Sequence, residues 1–144
     1  MAFPFFSYGT LQAPEVILSV IGRRPFGEAA RLPGWRVFRM VDAGYPGIVP
    51  GGENDDAPGI LYQGISDGEL LTLDRFEGPQ YERRKLDVLG TEGDLVSAWV
   101  YVVKEERRAE VSEAPWRLDE FLDSGLPEFM ERFVRERRRA YREE

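Results

Sequence analysis

Apolar and polar positions along the chain fall into short runs of two periods. Phe3 to Tyr8 is almost wholly apolar or aromatic and breaks at Gly9, the pattern of a buried strand delivering the chain into a tight loop. Ala13, Val16, Ile17, Val20 and Ile21 then recur at helical spacing, with Pro14 suited to the first helical position and Gly22 ending the run. Residues 28–32 and 35–41 read as extended segments on either side of a Pro33-Gly34 turn, and Asp42 to Gly47 as an irregular stretch. Gly51 to Pro58 is polar and turn-rich, which predicts an exposed loop ahead of a strand at 59–65. Ser66 followed by Glu69 is a capping-box signature, and Leu70, Leu71 and Leu73 give that helix an apolar side until Gly78-Pro79 stops it, at or beside Glu77. Residues 80–89 and 95–103, linked by Gly90 to Asp94, predict an antiparallel pair with Trp99, Tyr101 and Val103 on one face. Pro115 is placed to open a helical segment ending near Gly125. Leu126, Phe129, Met130, Phe133 and Val134 then form a stripe along a last helix, read as core packing.

Strands fill the first two thirds, helices gather late, and there is no regular βαβ alternation. The pattern predicts an α+β fold: a small, mainly antiparallel β-barrel or strongly curved sheet flanked by short helices, with C-terminal helices. At 144 residues, one domain spanning 1–144 is expected.

Composition narrows the chemistry more than the fold. With 42% hydrophobic and 31% charged residues the chain is apolar enough to fold. It has no cysteine and no histidine, which removes Ser-His-Asp and thiol catalysis and the common zinc sites, and leaves Asp, Glu, Lys, Tyr, Ser or Thr for any reaction. No metal or cofactor is called for. The net charge of −7 disfavours nucleic acid as a partner. Most arginines between Arg132 and Arg142 alternate with glutamates and read as a solvated helix face. No apolar run approaches the roughly 20 residues of a membrane helix, and the first residues lack the basic start of a secretory signal, so no membrane partner and a cytoplasmic location are expected. The late apolar stripe leaves a monomer or a homodimer open.

Three stretches carry candidate chemistry: Phe6-Ser7-Tyr8-Gly9-Thr10-Leu11, Tyr45-Pro46-Gly47-Ile48-Val49-Pro50, and Leu73-Asp74-Arg75-Phe76-Glu77-Gly78 running on to Tyr81 and Arg83. Glu77 sits at a helix end, where the negative pole of the dipole disfavours an anion by about 0.3–1 kcal/mol and raises its pKa. It is either a solvated charge or an acid/base group. Tyr8-Gly9-Thr10-Leu11 lies between a strand and a helix, where backbone N–H groups can converge on an anion, or is a plain glycine turn. Tyr45, Tyr81 and Tyr101 either donate hydrogen bonds to a ligand or fill the core. Asp74 is expected in a cap or salt bridge, and Arg83 in a surface ion pair rather than on a ligand.

In their order and spacing these stretches resemble the γ-glutamylcyclotransferase-like family, in the branch of γ-glutamylamine cyclotransferases and plant avirulence-induced proteins. The likeness covers nearly the whole chain, including the strand ending Val100-Tyr101-Val102. What it implies is a small-molecule γ-glutamyl substrate whose own α-amino group attacks its γ-carbonyl, closing 5-oxoproline and releasing an amine, without metal or cofactor. A single acid/base glutamate maps onto Glu77, and the loop at Tyr8, Gly9, Thr10 and Leu11 onto the holder of the substrate's α-carboxylate. The alternative is a non-catalytic module on the same fold that binds a small carboxylate or a partner. Relatives differ mainly beyond the γ-carbonyl, and discrimination there is expected of the loops 51–58 and 90–94.

Overall fold

A computed structural model describes the backbone of residues 1–143 and the side chains of residues 1–137; Arg138, Arg139 and Arg142 of the basic tail lie outside the described side chains. Seven strands and four α-helical segments follow in the order β1 (Ala2–Ser7), α1 (Pro14–Ile21), β2 (Gly27–Pro33), β3 (Trp35–Arg39), β4 (Pro46–Pro50), β5 (Asp56–Ser66), α2 (Asp67–Glu77), β6 (Tyr81–Leu89), β7 (Leu95–Val103), α3 (Leu118–Glu120) and α4 (Leu126–Glu143). Thr10–Gln12 and Glu105–Glu110 form 3-10 turns, and Phe121–Gly125 is a widened π-type turn joining α3 to α4.

Five strands form a ring in the order β1-β5-β2-β6-β7. Three of its contacts are long antiparallel ladders. The ring closes at two narrow seams, where Arg31 pairs with Leu89 and, in parallel, Phe5 with Trp99. This is the mainly antiparallel barrel of an α+β fold. The period of two sorts side chains into two cores. Phe6, Leu32, Leu61, Val88, Ala98, Val100 and Val102 fill the inside of the ring, while Phe5, Tyr62, Ile65, Tyr101 and Val103 point outward beneath the helices, joined by Val16, Ile17, Leu70 and Leu73.

Local signals placed α1 and α2 well. Pro14 opens α1 and Gly22 closes it with a left-handed φ of 81°. Ser66 and Glu69 form the reciprocal capping box of α2, and β6 pairs with β7 from Tyr81↔Val103 to Leu89↔Leu95. Three expectations need correction. The stretch expected to be irregular through Gly47 becomes strand from Pro46, because β4 adds to β3 as a separate two-stranded ribbon in which its prolines need donate nothing further. Pro115 opens no helix: the chain stays irregular past Trp116, whose indole N–H donates to the Gly44 carbonyl, and helix begins at Leu118. Gly125 ends nothing either, since the helix continues through it in the widened turn, held by the buried Phe121.

Candidate active site

The site is assembled by three side-chain and backbone contacts between distant stretches. Gly9 follows β1, and a β-carbon added there would lie 2.9 Å from Pro46 Cγ, so only glycine lets the early loop close against the start of β4. The Tyr81 hydroxyl, from the first residue of β6, donates to the Pro46 carbonyl at 2.5 Å. The Tyr8 hydroxyl donates to the Tyr101 carbonyl, also at 2.5 Å, tying the loop to β7. The three motif stretches are therefore one packed unit.

Between this unit and the helices lies a cavity of about 880 Å³, lined by Tyr8, Gly9 and Thr10 from the loop and by Tyr45, Glu77, Tyr81 and Tyr101. All the singled-out residues except Leu11 reach it. The Leu11 side chain is buried in the outer core, and its carbonyl accepts from the Tyr62 hydroxyl at 2.7 Å, so only its backbone N–H remains for a ligand. The N–H groups of Thr10 and Leu11, at the open start of the 3-10 turn, donate to no protein acceptor among the described residues.

Glu77 is the last residue of α2. Gly78 caps the helix at φ 93° and ψ −178°, a backbone shape open essentially to glycine alone, and turns the chain away so that the glutamate is left on the cavity wall. Its carboxylate takes part in no hydrogen bond or ion pair among the described residues. Part of the residue stays accessible, but through the cavity, with protein on most sides. Burial, and secondarily the Asp74 carboxylate, push its pKa up to about 8. The direction agrees with the sequence reading, and enclosure and the like charge of Asp74 are causes that the helix-end argument did not include.

Asp74, one turn back on α2, takes the opposite part. Burial works to raise its pKa, but hydrogen bonds from Arg83 and from the Tyr101 hydroxyl outweigh that and hold it below the ordinary value. Arg83 grips it with Nε at 2.9 Å and Nη2 at 3.3 Å, and Tyr101 donates at 2.7 Å. The guanidinium also lies over the Trp99 ring at 4.3 Å. Arg83 thus serves Asp74, as expected of a strand arginine. Two carboxylates three residues apart end up in unlike states, one a paired anion and the other an unpaired acid that titrates near neutrality.

For Tyr81 and Tyr101 the geometry favours the second of the two readings left open, a buried ring with its hydroxyl bonded to protein, over donation to a ligand. The hydroxyl protons of Tyr8, Tyr81 and Tyr101 are all committed to protein acceptors, and burial raises all three pKa values. Tyr81 and Tyr101 can each accept a hydrogen bond from a ligand without losing their own, whereas the Tyr8 oxygen already faces the Ile48 backbone N–H. Tyr45 alone of these has no hydroxyl partner among the described residues.

Sequence reasoning missed much of the opposite wall. Gln80, Arg75 and Phe76 line the cavity, as do Phe129, Arg132, Phe133 and Arg137 from the last helix. The stretches 51–58 and 90–94 do not reach it, which corrects their expected part in discrimination: the first leads from the β3-β4 ribbon into the ring, its last three residues already pairing with β2 as the start of β5, and the second turns β6 into β7. Nothing local marked α4 as a cavity wall, because its apolar stripe has the same period whether it meets a core or a hollow. Among the described residues no group of three or more Asp and Glu side chains converges to hold a metal ion, and no helix is long and apolar enough to cross a membrane.

The family profile described as γ-glutamyl cyclotransferase, AIG2-like, matches residues 5–118, which include every residue of the loop, the Pro46 contact and Glu77. The chain belongs to this family. AIG2-like protein C of Arabidopsis thaliana is 31% identical over 141 residues, covering 95% of this chain and 81% of that protein. AIG2-like protein D of the same plant is 38% identical over 87 residues, covering 60% and 57%. Among solved structures, one A. thaliana protein in solution superimposes with a TM-score of 0.69 at 29% identity, over 92% of this chain and 88% of that one. A structure titled γ-glutamyl cyclotransferase superimposes at 0.65 over 72% and 68%, with 19% identity, and so shares the fold. The family profile ends at residue 118, before α4, whereas the alignment with AIG2-like protein C covers 95% of this chain and extends into α4.

Proposed function

We propose that the chain is a γ-glutamylcyclotransferase that closes the γ-glutamyl part of a small amide into 5-oxoproline and releases the amine. One observation carries this reading: an unpaired, enclosed carboxyl at Glu77 shares a cavity with the Tyr8-Gly9-Thr10 loop. Family membership supports it at the level of the reaction class.

In this reading the N–H groups of Thr10 and Leu11 and the Thr10 hydroxyl hold the substrate's α-carboxylate, and the phenol oxygens of Tyr81 and Tyr101 accept from its α-ammonium. The substrate is thereby folded with its amine near its own γ-carbonyl, which supplies most of what an intramolecular attack needs. An α-amino group has a reference pKa of about 8. Glu77 at about 8 is matched to it. Moving the proton from ammonium to carboxylate therefore costs little, and it creates both a free amine nucleophile and a carboxylic acid. The amine nitrogen adds to the γ-carbon, the Tyr45 hydroxyl donating to the oxyanion. The acid then protonates the departing nitrogen and the old C–N bond breaks. Two of the three ammonium protons leave the attacking nitrogen and two arrive on the departing one, so Glu77 finishes as it began. A carboxylate of ordinary pKa would stay ionised and make a poor acid for the second transfer.

The test is turnover by purified protein of a panel of γ-glutamyl amino acids, γ-glutamyl-ε-lysine and γ-glutamyl amines, read as 5-oxoproline by mass. Formation from at least one member is expected. A panel that yields no 5-oxoproline, while the same compounds raise the melting temperature, would point instead to a binding module on this fold.

A further inference from the structure

Tyr45 is the cavity tyrosine whose hydroxyl no described protein group holds, so its aim depends on the backbone that carries it. That backbone is the turn from β3 to β4, bent at Asp42 by a left-handed φ of 55°, a conformation uncommon for a residue with a side chain. Few hydrogen bonds hold it. Two are internal, from the Ala43 N–H to the Met40 carbonyl at 3.2 Å and from the Met40 N–H to the Tyr45 carbonyl at 3.1 Å. A third comes from far along the chain: the Trp116 indole N–H donates at 2.9 Å to the carbonyl of Gly44, the residue before Tyr45. Among the described residues nothing else outside 40–45 bonds to positions 42–45.

Trp116 is buried and does not line the cavity, so any influence on a substrate runs through what it holds. The segment after β7 brings it there by pairing with the end of β3, where the Arg39 N–H donates to the Ala114 carbonyl at 2.9 Å and the Val41 N–H to the Glu110 carbonyl at 2.7 Å. Its ring centroid lies 5.8 Å from that of Phe121, Phe121 lies 5.6 Å from Phe129, and Phe129 lies 6.1 Å from Phe76, the residue before Glu77. A continuous run of packed rings therefore joins the residue before Glu77 to the residue before Tyr45. Both ends of the run come close to Tyr81: besides burial, Tyr8, Glu77 and Tyr45 all act to raise its pKa.

We propose that Trp116 is a positioning residue, whose indole N–H holds the 42–45 turn and so sets where the Tyr45 hydroxyl stands relative to the Glu77 carboxyl. This rests on the cyclotransferase reading, in which Tyr45 donates to the oxyanion. Such a donor works only when it meets the oxygen at roughly 2.7–3.1 Å, so a turn that loses its outside tie leaves the hydroxyl in the cavity without its aim. The substrate's α-carboxylate and α-ammonium are held by other stretches, and the loss therefore falls on kcat rather than on KM. A tryptophan that merely fills the core would cost stability and leave Tyr45 where it is.

The experiment uses Trp116→Phe, which keeps a ring and removes the donor. Where that variant fails to fold, 3-benzothienylalanine inserted at position 116 keeps the shape of the indole and removes only the N–H. The six tyrosines are labelled as 3-fluorotyrosine, and the signals of two are assigned by Tyr45→Phe and Tyr62→Phe. In the folded Trp116 variant the Tyr45 fluorine signal should move or split while the Tyr62 signal stays. In turnover, Tyr45→Phe should lower kcat about a hundredfold and Trp116→Phe about tenfold, with KM little changed. The double variant should be no slower than Tyr45→Phe alone, because the two changes remove one interaction. An unmoved Tyr45 signal, losses in kcat that multiply, or a Tyr45→Phe variant as fast as wild type would each overturn the proposal while 5-oxoproline formation by wild type stands. A Tyr45 signal that moves, with no 5-oxoproline from wild type, would uphold the tie and refute the reaction.

Discussion

At Glu77 the proposed reaction needs one carboxyl that is ionised when an ammonium arrives and protonated when an amine departs. Its setting supports that: no protein partner, enclosure that disfavours the anion, and an ionised Asp74 beside it. The folded pKa of about 8 lies above the ordinary 4.5, so folding favours the protonated form. That contribution is fully present below the unfolded pKa and is lost as pH rises through about 8. Glu77→Gln is neutral throughout and escapes the loss. Thermal or urea unfolding should therefore show the variant matching wild type near pH 4 and exceeding it by about 1–3 kcal/mol near pH 8, after allowance for screening by cavity water. A second expectation concerns the neighbour. Asp74→Asn removes the like charge, which lowers the Glu77 pKa, so the acid limb of the kcat/KM profile should move to lower pH. The same change frees Tyr101 and Arg83, and kcat should fall as well.

Each end of α2 has its own task. The capping box and the Arg23–Glu69 ion pair, with Nε at 2.6 Å, fix the beginning, and they hold the Glu69 pKa down to about 2. Gly78 fixes the end and aims Glu77. Ser66→Ala should cost about 1 kcal/mol of stability by losing the cap, with kcat little changed once the protein is folded. Gly78→Ala forces a side chain into a glycine-only conformation, at about 1–3 kcal/mol, and should lower kcat far more than Ser66→Ala because the strain falls on the residue that orients the acid. Urea titration alongside assay separates the two effects. Both ends of this helix were legible in the sequence, as were α1 and the β6-β7 hairpin, because caps, turn residues and adjacent pairing are local. The partners of β2 and β3 were not. These neighbours, separated by one turn, go to different sheets, a choice made by the strands they meet much later. The helix running through Gly125 was hidden for a related reason: a buried Phe121 holds a turn that local propensity would have ended.

At the level of the molecule, the ring of strands supplies a floor and the helices a roof, with the candidate site at the seam. Gly9 against Pro46, Tyr81 on the Pro46 carbonyl and Tyr8 on the Tyr101 carbonyl explain why three separated stretches appear together: each is the steric or hydrogen-bonding complement of another. Tyr81→Phe would leave the Pro46 carbonyl without its donor, a loss of about 1–3 kcal/mol for a buried acceptor. The candidate acid was legible because it stands in a string of characteristic residues. The α4 wall was not, because an apolar stripe with scattered arginines carries no sign of the space in front of it. The most direct test of the whole account is 5-oxoproline formation by wild type and Glu77→Gln, assayed together on one γ-glutamyl amide that both proteins are shown to bind. The account predicts 5-oxoproline and free amine in equal amounts from wild type and loss of both in the variant, with binding retained. Free glutamate in place of 5-oxoproline, or full activity in Glu77→Gln, would contradict it.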